Sequence, residues 1–308
     1  MKKIVITEFM DLPAVQALQA AYTVVYDPAL VDDASRLAKE VADADAVIVR
    51  NRTQVRGDLL AAIAKATVIG RLGVGLDNID VPACEARGMK VIPATGANAL
   101  AVAEYVIGTA MVLLRGVYSS SADVADGKWP RPRLSNGREI AGKTLGLIGF
   151  GGIGRLTAGL AKGLGMTVVA YDPMIPADAA VWAQTGVACR GLDELLAQSD
   201  VISLHVPLTP ETRNLLSAER IAKTRAGAII INTARGHIAD EAAIADAIRA
   251  GKLGGAAFDV FDPEPLKAGS AWVGCPNVIL TPHVAGVTAE SNERVSTLIA
   301  AEVAKALG

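Results

Sequence analysis

The feature that most constrains this chain of 308 residues is an alternation repeated along nearly its whole length. Short runs of β-branched and small apolar residues are separated by Ala- and Leu-rich segments. The runs are IVIT (4–7), TVVYD (23–27), AVIVR (46–50), TVIGRL (67–72), KVIP (90–93), TLGLIG (144–149), TVVAYD (167–172), VISLH (201–205), AIIINTA (228–234), GAAFDVF (255–261) and VILTP (278–282). Strand, helix, strand is the rhythm of parallel α/β sheets. The runs are nearly continuous in apolar character, as suits strands covered by helices on both faces. Their spacing is irregular, which excludes a solenoid.

The length exceeds what one ordinary hydrophobic core holds, so two domains are expected. The rhythm breaks once. A long Ala-rich helix is predicted from about Asn98 to past Arg115, followed by the polar stretch DGKWPRPRLSNGREIAGK (126–143), whose Pro130 and Pro132 interrupt any helix. The crossover is placed there. The final segment, from about Thr288 to Leu307, carries Val295, Leu298, Ile299 and Val303 on one helical face and is expected to return to the first domain.

Thirty basic and 32 acidic residues leave a net charge of -2, which gives no global attraction to nucleic acid or to an anionic membrane. Lys128, Arg131, Arg133, Arg138 and Lys143 cluster around the crossover, but only Trp129 interleaves them, so no nucleic-acid partner is expected. Cys84, Cys189 and Cys275 are far apart and lack CxxC or Cys/His spacing, which argues against a disulfide framework and a metal site and for a reducing cytoplasm. The N-terminal apolar run stops at Glu8 and Asp11, too soon for a signal peptide. The apolar stretch Ala99–Leu114 is interrupted by Glu104 and falls short of the ~20 residues of a membrane span, so it reads as a buried or subunit-interface helix.

The strongest local signal is Gly149-x-Gly151-x-x-Gly154, where a strand ends, a helix follows and the next strand closes on Asp172. Gly149 permits the tight turn, Gly151 lets the backbone approach a pyrophosphate, and Gly154 allows helix and strand to pack closely; Gly152 and Ile153 complete the turn. The pyrophosphate then lies on a helix N-terminus. Asp172 is placed to accept a ribose hydroxyl and to repel a 2′-phosphate, and no Arg or Lys follows until Arg190, so NAD is favoured over NADP. The alternative is a glycine-rich packing turn. A second glycine pair, Gly73-Val74-Gly75, has Asn78 where a third glycine would stand; it reads instead as an anion nest beside Arg71, or as a plain strand-end turn. Three histidines, His205, His237 and His283, are the candidates for acid–base work near neutral pH, and all three could lie at the carboxyl edge of the second sheet. Spacing alone does not separate them.

GVGLDNID (73–80) before the glycine turn and TARG (233–236), FDVFDPEP (258–265) and TPHVAG (281–286) after it resemble the D-isomer-specific 2-hydroxyacid dehydrogenases, in particular the 3-phosphoglycerate dehydrogenase branch. The resemblance spans nearly the entire chain. It implies two Rossmann-like doubly wound domains with the active-site cleft between them: a substrate domain of residues 1–97 plus 286–308 and an NAD-binding domain of residues 98–285. It also implies that Arg235 binds the substrate carboxylate and carbonyl, that His283 is the acid/base with Glu264 as a buried carboxylate partner, and that Asp259 holds the nicotinamide carboxamide. His205 then neighbours the cofactor and His237 becomes a loop histidine. In the implied oxidation His283 takes the hydroxyl proton while hydride leaves C2 for NAD.

Substrate choice is expected to lie with Arg50, Arg52 and Arg71 at strand ends of the first domain, together with Gly73, Val74 and Gly75. Such a set suits a 2-hydroxy or 2-oxo acid with a second anionic group, 3-phosphoglycerate or 3-sulfolactate; VRNRTQV (49–55) with PHVAGVTAES (282–291) is similar to sulfolactate dehydrogenases. Any of the three arginines could instead be a solvated surface residue, Arg52 most of all. Glyoxylate or hydroxypyruvate reduction is an alternative that underuses the arginines. A different class, an NAD-sensing corepressor-like binding protein, shares the fold. The appended regulatory domain of some phosphoglycerate dehydrogenases is not expected, and the helix 99–114 resembles the family's dimerisation helix, which implies a homodimer.

Overall fold

The computed structural model describes residues 1–308, which divide into two compact units, Met1–Asn98 with Val287–Gly308, and Ala99–Gly286.

The first unit holds a five-stranded sheet of β1 (Lys3–Ile6), β2 (Thr23–Tyr26), β3 (Ala46–Val49), β4 (Val68–Arg71) and β5 (Lys90–Pro93), in the order β2-β1-β3-β4-β5. All pairings are parallel. Val5, Val47, Val49 and Ile69 point to one face with Leu37, Val41 and Leu60; Ile4, Ile6, Ile48 and Val68 point to the other. Period-two alternation with both sides apolar is what leaves these strands without a polar face. The helix Ala289–Leu307 covers the second face and is capped by the Thr288 side chain, which accepts the Ser291 N–H. It lies so close to β4 that a Cβ at Gly70 would sit 2.8 Å from Val303 Cγ2 and 2.9 Å from Ile299 Cγ2. The order reverses between β1 and β3, and a doubly wound sheet presents its ligand crevice at that point.

The second unit holds seven parallel strands: β6 (Thr144–Ile148), β7 (Thr167–Tyr171), β8 (Ala188–Cys189), β9 (Val201–Leu204), β10 (Ala228–Asn232), β11 (Leu253–Phe258) and β12 (Val278–Leu280). Their order is β12-β11-β10-β9-β6-β7-β8. Reversal falls between β6 and β9. Ile148, Ile202, Leu204 and Ile230 build one core and Leu145, Leu147, Ile229 and Ile231 the other. The helix Ala99–Arg115 belongs to the second of these cores through Val106, Ile107, Ala110, Leu113 and Leu114, and ends at Gly116 with φ +65°. No single helix is long and apolar enough to cross a membrane. Every expected strand is present. Only the two-residue β8 had no signal, and β10 and β11 stop before Thr233 and Asp259, where the chain turns to carry functional groups.

Candidate active site

Because the seven strands run parallel, everything that follows their C-termini gathers at one edge of the sheet. The glycine turn follows β6, Asp172 follows β7, His205 follows β9, Arg235 follows β10, Asp259 and Glu264 follow β11, and His283 follows β12.

The glycines are required in different ways. Gly149 has φ +100°, and a Cβ there would sit 2.7 Å from the His205 carbonyl carbon. A Cβ on Gly154 would collide with the Gly149 carbonyl, whereas Gly151 and Gly152 face open space. The helix Gly152–Gly163 therefore starts beneath an uncovered cradle with its N-terminal amides outward, and Ile153 lies in its first turn. These residues fit a dinucleotide pyrophosphate. Asp172 Oδ2 accepts the Phe150 N–H at 2.9 Å and Oδ1 accepts that of Met174 at 2.9 Å, which fixes the carboxylate against the turn. Arg190, the nearest following cation, is turned to Glu194 and the Cys189 carbonyl. Asp172→Ala is expected to lower the ratio of kcat/KM for NAD over NADP about tenfold or more, read from initial rates with both cofactors; an unaltered ratio removes Asp172 from ribose recognition.

His205 is separated from its two rivals by its surroundings. Its Nε2 lies 2.9 Å from Ser203 Oγ, and burial pushes the imidazole down to about 4, so the ring is neutral at ordinary pH. It stands beside Gly149 rather than in an acid–base pair. An unfolded histidine takes up a proton near pH 6.5 that the folded one refuses until about 4, so His205 costs the protein stability as pH falls through that window. The integrated loss between pH 7 and pH 5 is about 2 kcal/mol. Urea unfolding at both pH values should show a decrease smaller by roughly that amount in His205→Gln; equal decreases would show that this ring does not drive the acid sensitivity.

His283 Nδ1 lies 2.8 Å from Glu264 Oε2, and Glu264 Oε1 accepts the Phe261 N–H at 3.0 Å. Nε2 is the ring nitrogen that Glu264 leaves unengaged. The expectation of a buried partner is corrected: within this unit the side chains of His283 and Glu264 are 46% and 38% exposed. Water weakens such a pair electrostatically, so its value here is orientation. His283 itself has φ +56°, a conformation that non-glycine residues rarely hold without support. The support is Asp259, 1% exposed. Its backbone carbonyl accepts the His283 N–H at 2.8 Å; its carboxylate accepts from Thr281 Oγ1 at 2.5 Å and from the amides of Val284 and Ala285, both at 2.8 Å. Tyr105 Oη meets the same Thr281 hydroxyl at 2.7 Å. Asp259 thus clamps the histidine loop, and a carboxamide could use only the acceptor capacity that remains. Sequence reasoning missed Tyr105 and Thr281, which act through Asp259.

Arg235 is shaped by Asn232, a fully buried residue whose side-chain amide donates to the Arg235 carbonyl at 2.9 Å while its oxygen accepts the Ala234 N–H at 3.0 Å. Arg235 Nη1 donates to the Ala234 carbonyl at 2.6 Å. The next residue brings this turn onto the Glu264 segment: a Cβ on Gly236 would overlap the Phe261 backbone and lie 2.8 Å from the Asp262 nitrogen. His237, in turn, pairs with Asp262.

In the first unit Arg50 follows β3 and Arg71 ends β4. Arg50 Nη2 donates to Asn292 Oδ1 at 2.8 Å, its guanidinium lies 5.5 Å over the Phe9 ring, and burial lowers its pKa. Glu8, a 4%-exposed residue that sequence reasoning passed over, accepts three backbone amides: Arg50 at 3.0 Å, Arg52 at 3.1 Å and Thr53 at 2.9 Å. Arg52 has an exposed guanidinium paired with Asp32 on the surface, which is the solvated alternative weighed for it. Gly73 donates its N–H to the Arg71 carbonyl, and the Arg71 guanidinium occupies the space of its missing Cβ. Val74, in the same turn, is 39% exposed.

A seven-stranded doubly wound sheet with a glycine-turned helix at its reversal and an imidazole–carboxylate pair and a guanidinium on the same edge defines an NAD-dependent oxidoreductase. The comparisons with known proteins make the class specific. The NAD-binding domain model of the D-isomer-specific 2-hydroxyacid dehydrogenases matches residues 107–285, and the chain belongs to that family. The (S)-sulfolactate dehydrogenase of Chromohalobacter salexigens is 50% identical over 308 residues, 100% of this chain and 99% of that protein. A D-3-phosphoglycerate dehydrogenase of Mycobacterium tuberculosis is 43% identical over 276 residues, 89% of this chain and 51% of that protein, so the chain spans about half that relative's length. The solved D-lactate dehydrogenase of Escherichia coli superposes with a TM-score of 0.82 at 29% identity over 99% of this chain and 96% of that one.

Proposed function

We propose that the protein is an NAD-dependent dehydrogenase of a three-carbon 2-hydroxy acid bearing a terminal sulfonate or phosphate, with 3-sulfolactate the first candidate. The observation that carries this reading is the guanidinium of Arg50, desolvated and oriented at the reversal point of the first sheet by Phe9 and Asn292. An immobilised cation of this kind adds nothing for glycolate or lactate and adds a charge-assisted hydrogen bond for a second anion. The full-length likeness to a sulfolactate dehydrogenase supports the same choice.

NAD, when bound, accepts hydride from C2 of the acid, and NADH returns it. Arg235 binds the carboxylate through its planar fork. His283 takes the hydroxyl proton at Nε2, and in reduction gives one back, while Glu264 at Nδ1 fixes the ring's direction. Asp259 keeps that ring in place through its backbone. Arg50, Arg71 and the amides of Val74 and Gly75 supply contacts for anionic substrate oxygens. A homodimer built on the helix Ala99–Arg115, whose Leu100 and Met111 are exposed, and a reducing cytoplasmic setting for three free cysteines complete the proposal.

Steady-state kinetics in both directions test it, with 3-sulfolactate, 3-phosphoglycerate, glycerate and lactate and with 3-sulfopyruvate, hydroxypyruvate and glyoxylate. One charge-assisted bond is worth ~1.5–3 kcal/mol, so kcat/KM for the acids with a second anionic group should exceed that for their neutral-ended counterparts by about 10–150-fold. Equal values for glycerate and 3-phosphoglycerate, and for lactate and 3-sulfolactate, would overturn the second-anion reading.

A further inference from the structure

His237, the histidine that spacing left as a loop residue, stands two residues after Arg235, and its Nε2 pairs with Asp262, two residues before Glu264. The two segments already touch at Gly236, where no side chain fits between the turn and the Phe261–Asp262 backbone. The His237 carbonyl accepts the Asn214 N–H at 2.7 Å, which anchors the histidine from behind. The segment that carries Glu264 is held at its ends by the partly buried Phe261 and Leu266 against the core. Between those ends Pro263, Glu264 and Pro265 are exposed, and the hydrogen bond of Glu264 to the Phe261 amide is local to the segment. Besides the bond of Glu264 to His283, the side chain of Asp262 is what ties this segment to another element, the turn that carries Arg235.

We infer that His237 and Asp262 are positioning residues: their pair is a strap that sets the Glu264 carboxylate, and through it the His283 ring, relative to the Arg235 turn. This rests on the proposed roles of Arg235, Glu264 and His283. The pair's side chains are 42% and 48% exposed, and pairs so placed contribute little to stability. Placement is another matter, because a displacement of about 1 Å at a reacting group can cost about a hundredfold in rate. The strap is accordingly a device for geometry.

The test uses the full-length protein with His237→Asn, Asp262→Asn, the double variant and the conservative His237→Arg, which keeps an N–H donor opposite Asp262. Hydrogen exchange reads the strap without any substrate. The Phe261 amide should exchange about tenfold faster in both single variants and in the double, while the amides of Val284 and Ala285, held by Asp259, stay as they are. With the best hydroxy acid of the kinetic survey, kcat should fall about tenfold in each single variant, with the KM values for acid and NAD within about twofold. The double variant should be no worse than either single, and His237→Arg should recover most of kcat. Unchanged exchange at Phe261 overturns the strap whatever the kinetics. Faster exchange with unchanged kcat, or kcat losses that multiply in the double variant, overturns its catalytic purpose. Absence of turnover on every acid tested, with Phe261 exchange accelerated, would count against the proposed function and leave the strap standing.

Discussion

His283→Asn should lose about a thousandfold in kcat in either direction while binding NADH as the parent does, measured by steady-state rates and by quenching of protein fluorescence on titration. The choice of asparagine follows from the backbone. At φ +56° a residue sits in the left-handed region, which asparagine enters at little cost and most others do not. His283→Gln, the closer match in length, would mix loss of the imidazole with local strain and so lower the melting temperature; His283→Asn removes the proton carrier and keeps the turn. Binding of the dinucleotide should survive in both, because the turn at Gly149–Gly154 and Asp172 belongs to other strand ends. Activity within tenfold of the parent would move the acid–base role elsewhere. His205 is poorly suited to it, because an imidazole lowered to about 4 is a weak base in oxidation and holds no proton to give in reduction, and its Nε2 is bonded to Ser203, so the role would pass to His237.

How much of this was legible in the sequence follows the range of the interactions. Strands and the glycine turn are written in neighbouring residues: β6, the helix after it and Asp172 lie within thirty positions and obey local rules of period, turn and spacing. The clamp on His283 is not written that way. It joins Tyr105, Asp259 and Thr281, and no local rule says that a tyrosine in an apolar helix will meet a threonine 176 positions on. Glu8 hides for the same reason. An acidic residue just after a strand reads as the end of an apolar run, whereas here its carboxylate is nearly sealed off and gathers the amides of the loop that bears Arg50. Arg52 shows the converse, a guanidinium in the same loop that the fold turns toward Asp32. Charge and position in sequence could not distinguish the two arginines, because the side chains of a strand-end loop diverge and tertiary partners decide their direction. β8 was missed because two residues carry no period at all.

Arg235→Lys keeps the charge and should still lower kcat/KM by about a hundredfold or more, with both kcat and KM for the acid affected and NADH binding unchanged. The argument is geometric. A planar guanidinium can give two parallel N–H bonds to a carboxylate and remain in register with it, whereas an ammonium on a flexible stem offers one strong contact at a time. Losing one bond to a charged group accounts for ~1.5–3 kcal/mol, roughly ten- to a hundredfold. The rest comes from orientation, because Arg235 is held in place from its own turn: Nη1 bonds the Ala234 carbonyl, and Asn232 fixes the Arg235 carbonyl. A lysine carries its three donors on a single tetrahedral nitrogen, which cannot keep that internal bond and also give two parallel bonds to the carboxylate plane, so the acid would tilt relative to His283. KM rises because a ground-state contact is lost; kcat falls because negative charge builds on the substrate oxygens as hydride arrives at C2. Equal kinetics for arginine and lysine would mean that the carboxylate is bound elsewhere.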